Sequence, residues 1–143
     1  MKYLNRPLIL CLACAVVTVS LLVPGVAQKK GKSRPLTTSQ LMAGLVKPQL
    51  VVLQDGLKTE PKDAAAWKKL STAAALLNES GHIMMADDRC PDETWEEACR
   101  VMDEASKTTL NLIRKQDAAG ALKSIGGITA SCKHCHTAFK YKK

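Results

Sequence analysis

The residues most able to do chemistry lie near the end of the chain, where positions 132–136 read Cys-Lys-His-Cys-His. On a helix, Cys132 and Cys135 share a face, and His136 follows on the same side. This C-x-x-C-H pattern is the attachment signature of a c-type haem, in which the two thiols bind the porphyrin and the histidine binds the iron. We therefore predict one covalently attached haem c with His136 as its proximal iron ligand.

The same motif also fits other chemistry. A thioredoxin-like redox C-x-x-C needs a strand–helix–strand context, which the sequence does not show. A structural zinc site normally takes four ligands from paired motifs. A plain Cys132–Cys135 disulfide would leave a bundle without haem. His134 lies off the face that Cys132 and His136 share, so we interpret it as a surface histidine.

Four stretches with helical periodicity must position this motif, and no segment alternates as a β-strand does. The predicted helices span residues 38–57, 61–85, 92–116 and 117–141. Pro48 lies inside the first helix and removes a backbone hydrogen bond to the Gly44 carbonyl, so we expect a kink there. Because the connections are short, neighbouring helices run antiparallel. The predicted fold is all-α, an up-down-up-down four-helix bundle that carries the haem.

The chain begins with the features of a secretory signal peptide, which we place at residues 1–27. Lys2 and Arg6 precede an apolar run over residues 7–23. The run is slightly short for a membrane span, so we predict cleavage rather than a retained anchor. The mature protein is then exported, periplasmic and not integral to the membrane. Export permits both disulfides and covalent haem.

Length and composition limit the fold classes and functions that this chain can have. The 143 residues suffice for one domain, which we place at 37–143, after a flexible basic tail at 28–36. Aromatic residues make up only 3% of the chain, which argues against an all-β fold. It also argues against nucleic-acid binding through base stacking, although the net charge is +8.

Two further cysteines, Cys90 and Cys99, remain outside the signal peptide and the haem motif. In an exported protein we expect them to pair. A disulfide that closes a loop of about ten residues contributes roughly 2–3 kcal/mol in the chain-entropy account. The alternative is a copper or zinc site that also uses Asp87, Asp88 or His82.

The end of the chain resembles the class II cytochromes c, the cytochrome c′ family with its low-spin methionine-ligated relatives. The resemblance depends on the motif's place in the last helix and on the closing segment Cys-His-Thr-Ala-Phe-Lys at 135–140. Class I cytochromes place the motif near the N-terminus and supply a methionine downstream, whereas no methionine follows His136 here. The resemblance implies a four-helix bundle with the haem among its helices, and it leaves homodimer formation open.

The resemblance also implies that the distal iron position belongs to the first helix, where Met42 would be the sixth ligand. A methionine there gives six-coordinate low-spin iron, and an apolar residue gives five-coordinate high-spin iron. Met42 could instead fill core space, as methionines often do. Other candidates are Met84, Met85 and His82. Lys140 is a candidate contact for a propionate or the proximal imidazole, whereas positions 38–40, Thr-Ser-Gln, lack the arginine that the family often has there.

Together these features predict a periplasmic electron carrier and not an enzyme. The iron cycles between its ferric and ferrous states while His136 and Met42 stay bound. One alternative is a five-coordinate haem that binds NO or CO, and another is a haem-free bundle that binds metal or is stapled by disulfides. Lysines near the haem predict a positive edge and an acidic redox partner protein: Lys133, Lys140, Lys142 and Lys143.

Overall fold

The structure, a computed structural model, describes residues 30–140, and this part of the chain contains four helices. Helix α1 runs from Thr38 to Gly56 and has three parts: Thr38–Leu41, the π-helical segment Met42–Val46, and Lys47–Gly56. The other helices are α2 (Ala64–Met85), α3 (Glu93–Arg114) and α4 (Ala118–Phe139). Within residues 30–140 there is no strand, only an isolated antiparallel bridge between Lys30 and Thr37. The prediction of an all-α four-helix bundle is confirmed. The predicted signal peptide lies outside the described residues.

Each helix begins at a side chain that caps its free backbone N–H groups. Asp63, Asp92 and Asp117 accept hydrogen bonds of 2.8, 3.0 and 2.8 Å from backbone N–H groups at the starts of α2, α3 and α4. At α1, Thr37 and Gln40 each accept a hydrogen bond from the other's backbone N–H. The cap at Asp63 places the start of α2 slightly later than the sequence predicted.

The core lies where α2, α3 and α4 meet, and α1 packs mainly on α2 and also touches α4. Its largest fully buried aliphatic side chains are Leu53, Leu77, Ile113 and Ile128. The close approach of α3 to α4 depends on a glycine, because a Cβ on Gly127 would lie 2.9 Å from the Cβ of Ala105. Among the described residues, no helix combines the length and apolarity needed to cross a membrane.

Helix α1 is irregular in the turn before Pro48. Proline has no N–H, so an α-helical hydrogen bond must be lost in this region. The helix widens there into the π-helical segment, and the Lys47 N–H donates to the Met42 carbonyl. The sequence predicts a kink at Pro48, and what the structure shows just before this residue is a π turn that begins at Met42. Such turns often occur at functional sites.

Residues 32–34, predicted to belong to a flexible tail, are hydrogen-bonded to the loop between α2 and α3. The Asp87 carboxylate accepts hydrogen bonds of 2.9 and 2.8 Å from the Ser33 N–H and hydroxyl, and one of 2.9 Å from the Arg34 N–H. The Arg89 side chain, which is 1% exposed, lies 3.6 Å from the same carboxylate. The segment is thus anchored rather than free, because three donors converge on one carboxylate.

These contacts also fix the charge of Asp87. Burial acts to raise its pKa, but the hydrogen bonds from Ser33 and Arg34 and the charge of Arg89 outweigh this effect and hold the pKa below its usual value. The carboxylate therefore favours the anchored state at neutral pH. This contribution is lost as the pH falls through the lowered pKa.

Gly31 allows the segment to approach this carboxylate, and we expect Gly31→Ala to release it. A Cβ on Gly31 would overlap the Asp87 Oδ2 atom, so either the carboxylate or the segment must shift, and the hydrogen bonds between them are disturbed in both cases. Trypsin should then cleave faster after Lys32, with little change in the helical circular dichroism; Pro35 blocks cleavage after Arg34. Gly126→Ala is the matched control because nothing lies within 4 Å of its added Cβ. Equal cleavage rates in the two variants would contradict the anchoring.

Candidate haem-binding site

Helix α4 presents the predicted attachment residues on one wall of a cavity of about 430 Å³. Cys132, Cys135 and His136 all line this cavity, as their spacing on one helix face predicts. Met42, which comes from α1, lines it too. The structure therefore brings together the four residues that the sequence analysis assigned to the porphyrin and the iron.

The rest of the cavity wall is mainly apolar. Its apolar residues are Ala43, Val46, Leu50, Trp95 and Phe139, and its polar residues are Thr38, Ser39, Lys47 and Lys140. Lys47 was not among the site residues predicted from the sequence. A π turn joins each residue to the fifth one after it, so Lys47 falls on the same side of α1 as Met42. Pro48 is the only feature of the sequence that indicates an irregular turn at this position.

A second cavity of only about 20 Å³ lies against the same residues. It is lined by Met42, Met84, Ala98, Cys99, Met102, Ser131, Cys132, Cys135 and His136. Met84 therefore stands close to His136 and is the second candidate for a distal ligand. Met85 and His82, which the sequence analysis also named, line neither of these two cavities.

Trp95 holds the end of α2 against this site. Its side chain is 2% exposed, and its indole N–H donates a 3.0 Å hydrogen bond to the Met84 carbonyl. This carbonyl is in the last turn of α2, where helical acceptors lack partners within the helix. The Trp95 ring also meets Phe139 edge to face, with the ring centroids 5.2 Å apart. One side chain thereby connects α2, α3 and the end of α4.

We expect Trp95→Phe to lower the free energy of unfolding by about 1–3 kcal/mol, because the Met84 carbonyl loses its buried donor. The phenyl ring keeps most of the apolar contact, so the fold should persist. Thermal unfolding followed by circular dichroism measures the effect. Trp67→Phe is the control, since Trp67 is only partly buried. A loss no larger than that of the control would show that the hydrogen bond adds nothing.

Burial decides the protonation of the attachment residues. It raises the pKa of Cys132, and burial, with the nearby Cys132 and Asp92, raises the pKa of Cys135 to about 11. Both thiols are therefore protonated at neutral pH. Burial and the nearby Lys140 ammonium lower the pKa of His136. Its imidazole is neutral at pH 7, which is the form that binds a metal.

The other two cysteines lie beside this site. Cys99 is buried, Cys90 is half-buried, and both are free thiols in the structure. Cys99 forms a small cluster with Trp95, and both Cys90 and Cys135 pack against that cluster. Burial, with the nearby Cys135 and Cys90, raises the pKa of Cys99 to about 12. The structure thus describes separate thiols where the sequence predicted a Cys90–Cys99 disulfide, and that pairing stays a prediction.

The residues named for a copper or zinc site have other partners. The His82 Nε2 atom lies 3.2 Å from Asp103 Oδ1, and Asp87 binds the segment before α1. Within residues 30–140, no group of three or more His, Cys, Asp or Glu side chains is arranged to hold a metal ion. His134 is exposed, as the sequence predicted.

No family model, curated protein or solved structure matches this chain. What the site can hold therefore follows from its own residues. Two thiols, a neutral imidazole and a thioether around one cavity are the donors that a covalent haem with two axial ligands needs. The cavity volume lies in the range of cofactor sites, roughly 300–1,000 Å³, and its mainly apolar wall suits a large planar group. The residues present fit a haem c.

Proposed function

We propose that this chain is an exported c-type haem protein that carries single electrons in the periplasm. One observation carries the proposal. Cys132, Cys135 and His136 line the same cavity as Met42, although Met42 belongs to α1 and the others to α4. The C-x-x-C-H motif alone predicts only the α4 residues. The thioether of Met42, which lines the same cavity from a distant part of the chain, therefore supports a haem site independently of the motif.

Each of these residues has a separate role. A bound haem supplies a one-electron ferric/ferrous couple. Cys132 and Cys135 fix its edge to α4 through thioether bonds, and His136 offers its neutral imidazole as the proximal ligand. Met42 offers a thioether, which favours the ferrous state and raises the potential. Because both ligands belong to helices of one packed bundle, we expect them to stay in place when the charge changes.

Lysines around the cavity suit the proposed partner. Lys47 of α1 and Lys140, the residue after α4, both line the cavity, and we assign them to the haem propionates. Lys133 is exposed between the attachment residues. The positive charge that the propionates do not neutralise would steer an acidic redox protein to the haem, with an encounter rate that falls as the ionic strength rises. Lys142 and Lys143 lie outside the described residues.

We also propose that neighbouring helices run antiparallel and that the protein acts in the periplasm. The connections between helices are short, and consecutive helices pack against each other, which favours an up-down-up-down bundle. The charged and apolar pattern over residues 1–27 favours export and removal of the signal peptide. The role we assign is electron transfer without chemistry on a substrate.

The test is an absorption spectrum of the protein exported from a host that has haem-attachment machinery. Spectra are recorded oxidised and reduced, with and without carbon monoxide. We expect a low-spin spectrum that carbon monoxide does not change. A high-spin spectrum that shifts with carbon monoxide would favour the binding of NO or CO to five-coordinate iron. A protein without a haem spectrum would overturn both roles and leave a haem-free bundle.

A further inference from the structure

The site holds a third thiol beside the two attachment cysteines. The hydroxyl of Ser131 donates a 2.6 Å hydrogen bond to the Ala98 carbonyl, and both residues are buried. This bond joins α4 to α3 one residue before Cys132 and one residue before Cys99. Cys99 is accordingly a neighbour of the haem motif, although it is far from it in sequence.

Two further observations place the thiols together. Cys99, Cys132 and Cys135 line the same cavity of about 20 Å³, which leaves little space between them. Cys90 and Cys135 both pack against the cluster that contains Cys99. The backbone around Cys99 is also held closely, because a Cβ on Gly81 of α2 would lie 3.2 Å from the Cys99 carbonyl oxygen. Cys99 therefore lies close to two other thiols, Cys90 and Cys135.

We propose that Cys90 and Cys99 are an internal reductant that frees Cys132 and Cys135 for haem attachment. The starting state has a Cys132–Cys135 disulfide, which an oxidising compartment forms readily between two thiols so close in sequence. Only free thiols can add to a porphyrin, so this disulfide must be broken before attachment. The significance of the reaction rests on the proposed haem function, whereas the reaction itself needs only the four cysteines.

The exchange takes place in two steps that conserve atoms and electrons. The Cys99 thiol first loses its proton to solvent, and its thiolate then attacks the sulfur of Cys135. Because burial raises the pKa of Cys99, this step is slow at neutral pH and becomes faster as the pH rises. A Cys99–Cys135 bond forms, the Cys132–Cys135 bond breaks, and Cys132 leaves with the electron pair and takes up a proton. The Cys90 thiolate then attacks Cys99, forms a Cys90–Cys99 disulfide and releases Cys135. One disulfide is reduced and another is formed, so no external oxidant or reductant is consumed.

The experiment uses the full chain exported from a host without haem-attachment machinery. The purified protein is unfolded, fully reduced and then oxidised with one equivalent of a small disulfide, because loop closure favours the short Cys132–Cys135 pairing in the unfolded chain. Denaturant is removed, and samples are quenched with acid, alkylated and mapped by mass spectrometry over time. We expect the Cys132–Cys135 disulfide to disappear as the Cys90–Cys99 disulfide appears, at a rate independent of protein concentration.

Two variants separate this exchange from other routes. In Cys99→Ala the Cys132–Cys135 disulfide should persist. In Cys90→Ala, where only a half-buried side chain is changed, the second step is lost and a Cys99–Cys135 disulfide should accumulate or the first disulfide should remain. Persistence of the Cys132–Cys135 disulfide in the unaltered protein would overturn the proposal. So would its equally fast loss in Cys99→Ala. A protein that shows the exchange but never binds haem would overturn the proposed function and leave the exchange intact.

Discussion

In the double variant Cys132→Ala/Cys135→Ala, we expect the covalently bound haem to be lost completely. The two thiols are the only atoms proposed to form bonds to the porphyrin, and both line the cavity that would hold it. Alanine is a strong helix former, so α4 should keep its path. Mass spectrometry of the denatured chain measures the result, because an attached haem adds a fixed mass that denaturation does not remove.

The matched control lies inside the same motif. Lys133 and His134 occupy the two positions between the cysteines, and both side chains are exposed. Lys133→Ala/His134→Ala should keep the added mass and an unchanged spectrum. If the cysteine variant still carried the mass, the attachment sites would lie elsewhere. If the control lost it as well, the effect could not be assigned to the thiols.

The helices and their ends could be predicted from the sequence because the signals are local. Asp92 and Asp117 are N-caps that act on N–H groups three residues away, and the structure shows both contacts. The position of the attachment residues on one face follows from spacing within a single helix. At Asp63 the same kind of cap decides the start of α2, where the sequence pattern favoured the earlier proline.

What the sequence did not reveal depends on contacts between distant segments. Arg89 is among the largest fully buried side chains, and its guanidinium lies beside Asp87 and donates to the Leu36 carbonyl at 3.2 Å. A charged residue in a loop gives no local signal of such burial, because the Leu36 carbonyl to which it donates is 53 residues away in sequence. The anchoring of residues 32–34 escaped prediction for the same reason. The junction of Ser131 with Ala98, which places Cys99 beside the haem motif, is a third example.

The identity of the distal iron ligand depends on both the sequence and the fold. Met42 was assigned from a resemblance to a family, and the pattern of α1 alone does not distinguish a ligand from a core methionine. The structure adds that the π turn begins at Met42 and that this residue lines both cavities together with His136. It also adds a competitor, because Met84 is buried beside the smaller cavity. A comparison of these two methionines decides between them.

We expect Met42→Leu to convert low-spin haem iron to high-spin iron that binds carbon monoxide. Leucine has a similar volume to methionine but no sulfur, so it removes the sixth ligand with a small cost in packing, usually below about 1.5 kcal/mol. The absorption spectrum of the oxidised and the reduced protein shows the change directly. The reduction potential should fall at the same time, because the thioether favours the ferrous state.

Met84→Leu makes the same chemical change at a neighbouring position and is the control. Met84 is 4% exposed and lines the small cavity with Met42, so both variants disturb the same region of the core. The Met84 carbonyl, which accepts the Trp95 hydrogen bond, is unchanged by the substitution. If Met42 is the ligand, Met84→Leu should stay low-spin and indifferent to carbon monoxide. If Met84→Leu becomes high-spin and Met42→Leu stays low-spin, the sixth ligand is Met84 of α2. If both spectra are unchanged, neither thioether binds the iron.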